Sequence, residues 1–97
     1  MIYDGLIEQF ITFIDSHYPE PKGYWTDIHY IKRSFERFGL ERVVLKCLDN
    51  PFTNPIYILE NEIIYWQELA SDSTNDTQKS MFKYICNALN ALWNIAN

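Results

Sequence analysis

The sequence predicts an all-α protein, a compact bundle of four to five helices. Apolar residues recur at three- and four-residue intervals over most of the chain, the spacing of a helix face. Proline, glycine and short polar runs interrupt that pattern at only a few places, which marks the ends of elements. Composition agrees: 47% hydrophobic and 16% aromatic residues among 97 supply a core, and 22% charged is too little for a disordered chain. A chain of this length is expected to fold as a single helical domain, residues 1–97, around one core.

The first helix is expected over 2–18. Tyr3, Leu6, Ile7, Phe10, Phe13 and Ile14 fall on one side, and Asp4, Glu8, Thr12, Asp15 and Ser16 on the other. Pro19 and Pro21 end it, because proline lacks the N–H donor and clashes with the preceding turn. The second helix is predicted from Thr26 or Asp27, either a suitable N-cap, to Phe38, with Ile28, Ile31, Phe35 and Phe38 as its apolar stripe. Gly39 is read as the left-handed residue closing that helix, with Leu40 as its hydrophobic follower. A short third helix is then expected from Leu40 to Leu48, stopped by Asp49-Asn50-Pro51.

Residues 55–70 admit two readings. Thr53 or Asn54 as cap, Pro55 at the first helical position and the stripe Ile56, Leu59, Ile63, Trp66, Ala70 favour a helix. The β-rich runs Ile56-Tyr57-Ile58 and Ile63-Ile64-Tyr65-Trp66 allow instead an α+β fold with a hairpin at 55–66. Its turn, Glu60-Asn61-Glu62, has no glycine to take positive φ, so the helix is preferred. A polar loop, 71–77, precedes a last helix from Asp76 to Ile95. Its core side is expected to carry Met81, Tyr84, Ile85, Ala88, Leu89, Leu92 and Ile95.

No stretch approaches the roughly 20 apolar residues that a membrane span requires. The opening Met1-Ile2-Tyr3-Asp4 has no basic region of the kind a secretory signal carries. The expectation is a cytoplasmic protein that does not enter membranes. Two cysteines, Cys47 and Cys86, without CxxC spacing fit ordinary core thiols better than a disulfide framework or a zinc site.

The formal charge of −5 is segregated. Residues 1–21 and 47–76 contain carboxylates and no Lys or Arg, whereas Lys22, Lys32, Arg33, Arg37, Arg42 and Lys46 outnumber the acids of 22–46. The overall acidity disfavours non-specific binding to nucleic acid or anionic lipid, since the summed field repels both.

Catalytic motifs are missing. Gly5, Gly23 and Gly39 fall in no phosphate-cradling pattern, and HExxH is absent. His17 and His29 have no carboxylate at ferritin-like spacing. His17 is read as capping the end of the first helix and His29 as solvated. The run from Asp72 to Asp76 lacks the features of an EF-hand: Thr77 and Lys83 stand where glycine and the bidentate glutamate belong. Asn75-Asp76-Thr77 matches the glycosylation pattern, which has no meaning off the secretory route. Glu60, Glu62 and Glu68 do not share one helix face as a paired acid and base would. No catalytic residue, metal or cofactor is therefore expected.

Two binding surfaces are expected instead. On the fourth segment, Tyr57, Ile58, Ile64, Tyr65 and Leu69 remain outside the main stripe among acidic residues. Tyr57, Glu60, Ile64, Tyr65 and Glu68 are the candidate face for a protein partner, basic in character, or for self-association. The alternative is an anionic-partner ridge of His29, Arg33, Arg37, Arg42 and Lys46, in which arginine forks could meet phosphates or carboxylates. The leading functional expectation is a small acidic interaction module of inhibitor or immunity type. A nucleic-acid-contacting regulator and a homodimeric structural protein are the alternatives.

Overall fold

The computed structural model describes residues 4–18 and 23–96. They form an all-α bundle of four helices: α1 (Asp4–His17), α2 (Asp27–Asp49), α3 (Pro55–Asp72) and α4 (Asp76–Ala96). No strand occurs among the described residues, so the hairpin alternative for 55–66 is overturned. Tyr3, Pro19, Pro21 and Lys22 lie outside the described residues. Among those described, no helix is long and apolar enough to cross a membrane.

Each boundary has a local cause. Asn54 caps α3: its Oδ1 accepts from the Ile56 N–H at 3.0 Å, and Pro55 opens the helix where its missing N–H costs nothing. Asn75 caps α4 in the same way, accepting from Thr77 at 2.9 Å and Gln78 at 3.2 Å. Thr26 is the N-cap of α2, and His29 closes back on it, its Nδ1 accepting the Thr26 N–H at 3.2 Å. His29 is thus exposed but engaged. His17 hydrogen-bonds through Nδ1 to the Phe13 carbonyl at 3.1 Å and stacks on the Phe13 ring, so it does satisfy the end of α1.

The largest departure from expectation is in α2. It is one helix of 23 residues, not two pieces divided at Gly39. Gly39 is buried inside it, and no described glycine has positive φ. A Cβ at Gly39 would collide with Cγ2 of Ile85 on α4. The glycine therefore serves close helix approach, not termination, and that gain outweighs the roughly 1 kcal/mol by which glycine weakens a helix interior.

The core lies where α1, the C-terminal half of α2, α3 and α4 converge. Phe10, Leu40, Val43, Leu59, Leu89 and Leu92 are its most enclosed members. The antiparallel α3–α4 pair and the α2–α4 crossing are the main packing contacts, with α1 laid against α2. The buried face of α2 is Gly39, Leu40, Val43, Val44 and Cys47. The stripe expected there, Ile28, Ile31, Phe35 and Phe38, is instead largely exposed; only Phe35 is packed against the core. On α3 the expected stripe is buried apart from half-buried Ile56, and Ile58, expected outside, is buried with it. At the far end of α4, Ile95 is exposed.

Candidate functional site

The outer side of α3 is the candidate site. At about 100° per residue, Tyr57, Glu60, Ile64, Tyr65 and Glu68 fall within one arc of the helix, together with exposed Asn61 and Asp72. The helix buries its opposite arc against α4 and the core, which is what leaves this one outward. Tyr57 is 61% exposed, Ile64 51% and Tyr65 41%. Leu69, expected beside them, is instead half-buried against the core.

The five residues differ in how firmly they are held. Glu60 is half-buried and accepts the indole N–H of Trp93 at 3.3 Å. Tyr65 packs edge-on against Trp66, with ring centroids 5.1 Å apart. The Arg42 guanidinium lies over both rings, 4.9 Å from Tyr65 and 5.3 Å from Trp66, within cation–π range. Tyr65 is therefore a partly fixed anchor, whereas Tyr57 and Glu68 project into solvent.

Behind this face is a polar cluster that the sequence reading missed. Glu62 is the one buried charged residue among those described, 3% exposed. It accepts from Arg42 Nε at 2.7 Å and from Lys46 Nζ at 2.6 Å. Burial alone would raise its carboxyl pKa, but hydrogen bonds and charge from Lys46 and Arg42 prevail and hold it below its ordinary value. A signal existed: on the helical repeat Glu62 falls between Ile58 and Trp66, both buried, and a carboxylate enclosed by apolar neighbours requires a cationic partner. The Trp66 indole N–H, also buried, has no hydrogen-bond partner.

The alternative ridge does not form one surface. Arg33 and Arg42 are nine residues apart, about half a revolution, and so point to opposite sides of α2. Arg33 donates to the His17 carbonyl at 2.5 Å, and its guanidinium lies over the Tyr18 and Trp25 rings. Arg37 pairs with Glu41 at 2.8 Å, His29 with Thr26, and Arg42 and Lys46 with Glu62. Each of the five residues thus has a partner within the chain.

Other reactive groups are sequestered. Cys47 and Cys86 are both buried and free. Burial pushes the Cys47 thiol up to about 11 and raises that of Cys86 as well. Tyr18 donates to Glu36 at 3.0 Å; its own burial and the adjacent carboxylate raise its pKa well above the usual phenol range. Among the described residues, no three His, Cys, Asp or Glu side chains are grouped to hold a metal ion. Comparison with protein-family models, curated proteins and solved structures returns no match.

Proposed function

We propose that this protein is a non-enzymatic interaction module that binds a basic protein partner stoichiometrically through the outer side of α3. One observation carries the reading: three large apolar side chains, Tyr57, Ile64 and Tyr65, are exposed on a helix face whose charged residues are all acidic. Tyrosine supplies contact area at low entropic cost, and the surrounding carboxylates steer a cationic surface toward it. Tyr65, already held by Trp66 and Arg42, is the preorganised centre. Tyr57 and Glu68 form the adaptable rim.

An acidic chain of 97 residues suits an inhibitor or immunity-type role, in which it masks the basic surface of a nuclease or similar cytoplasmic protein. The nucleic-acid reading draws less support, because the cations it needs are engaged within the fold.

The test is capture of partners from the native host by wild type, Tyr65→Ala and Glu68→Lys, followed by calorimetry with the identified protein. Wild type is expected to retain a basic protein. Tyr65→Ala should weaken that complex by about 2 kcal/mol, roughly thirty-fold. Glu68→Lys should slow association and blunt its salt dependence. A captured partner that binds both variants at full affinity would remove α3 from the interface.

A further inference from the structure

Phe52 is 94% exposed, the highest value of any large apolar side chain among the described residues. It stands in the short connection between α2 and α3, and that connection is tied down. The Asn50 carbonyl accepts the Thr53 N–H at 3.1 Å, closing a β-turn with Pro51 and Phe52 at its centre. The Asn50 side chain donates to the Lys46 carbonyl at 2.8 Å, which fastens the turn to the end of α2. Asn54, the cap of α3, fastens its other end. Pro51 occupies the position where its fixed φ suits such a turn. The backbone beneath Phe52 is therefore held while the ring itself stands in water.

We propose that Phe52 is an anchor of the interface proposed for α3, its ring entering an apolar pocket beside the basic surface of the same partner. The assignment rests on the α3 reading and extends that face to a point off the helix.

Charge names the occupant. Residues 47–76 hold both the turn and α3 and contain carboxylates but no Lys or Arg. Exposed Asp49 precedes the turn, so a cationic surface drawn to α3 is drawn toward Phe52 as well. A symmetric pairing of two copies at this place sets acidic segment against acidic segment. The distances let one partner reach both sites. Five residues of chain, at most about 18 Å, separate Phe52 from Tyr57. A standard interface covers about 800 Å² of each partner, roughly 30 Å across.

Preorganisation explains why this ring serves as an anchor. An aromatic side chain on a fixed backbone surrenders only two torsions on binding, so more of its burial appears as affinity. Tyr65 is fixed by its ring contacts and Phe52 by its turn. The face thus has two rigid aromatic points.

Photo-cross-linking in the native host tests the proposal, with benzoylphenylalanine replacing Phe52, Tyr65 or, as an exposed control on α1, Glu8. Positions 52 and 65 are expected to capture the same basic protein, and position 8 not to capture it. In calorimetry with that protein, Phe52→Ala should weaken binding about ten-fold at an unchanged urea midpoint. Phe52→Leu should retain most of the affinity. Pro51→Gly should weaken binding several-fold although the ring is intact, because the loosened turn must be ordered again. The proposal is overturned if position 52 captures nothing, a second copy of this chain, or a protein that position 65 does not capture. Full affinity in Phe52→Ala also overturns it, and a simultaneous loss in Tyr65→Ala then leaves the α3 reading standing alone. The reverse pattern removes α3 and, with it, the shared face. The cross-link keeps an aromatic ring at position 52, so it decides even if Phe52→Ala folds poorly.

Discussion

Gly39 of α2 and Ile85 of α4 are in such close approach that a single added methyl at position 39 would overlap Cγ2 of the isoleucine. The helix crossing at the centre of the molecule depends on that missing side chain. Ile85 is β-branched, stiff at χ1 and 2% exposed, so it has little freedom to withdraw.

Gly39→Ala is therefore expected to destabilise the protein despite alanine's better helix propensity. The propensity gain is about 1 kcal/mol and the overpacking cost typically about 1–3 kcal/mol, and with the added Cβ overlapping Ile85 Cγ2 the cost lies toward the upper end, so a net loss of up to about 2 kcal/mol is expected. Chemical denaturation measures it. Combining Gly39→Ala with Ile85→Ala should show a favourable coupling of at least about 0.5 kcal/mol, since the second change removes the clash. An additive pair would mean that the crossing adjusts by other means.

The Glu62 cluster predicts an acid-sensitive fold. The folded-state pKa of Glu62 is depressed, so its stabilising contribution is fully present above its ordinary value of 4.5 and is lost as pH falls through and below it. Thermal melts from pH 7 to pH 3 should show wild type losing more stability than Glu62→Gln over that window. At pH 7 the variant should be less stable by about 1–3 kcal/mol. That is smaller than for a fully buried pair, because Arg42 and Lys46 remain partly in water.

Neither thiol should react in the native state. Cys47 is 2% exposed and its pKa is about 11, and Cys86 is 7% exposed, its Sγ 3.9 Å from the Ile63 carbonyl. With an aromatic disulfide reagent at pH 8, both should stay silent until denaturant is added, then react together. Rapid labelling of either in native buffer would show that its helix opens readily.

The exposed members of the α3 face should be nearly free of structural duty. Tyr57→Ala and Glu68→Lys are expected to shift stability by less than about 0.5 kcal/mol. Tyr65→Ala should cost about 0.5–1.5 kcal/mol, because it also removes the ring contact with Trp66 and one face of the Arg42 cation–π pair. This ordering, read from urea midpoints, lets a binding defect in the first two variants be assigned to contact and not to unfolding.

The sequence alone pointed to an all-α fold, placed the ends of three of the four described helices to within a few residues, and favoured a helix over a hairpin for α3, a choice that the structure closed. Periodicity, prolines and Asx caps are local signals, and local hydrogen bonding fixes such boundaries. It also placed Tyr57, Glu60, Ile64, Tyr65 and Glu68 on one side of α3, since that follows from the helical repeat. Only the tertiary structure decided the role of Gly39, because a helix-ending glycine and one that admits a neighbouring helix look alike in one dimension. The same holds for Glu62 and the α2 stripe. Whether a carboxylate is clamped or an isoleucine is covered depends on which helix crosses at that height, and the angle between packed helices is not encoded in the period of either one.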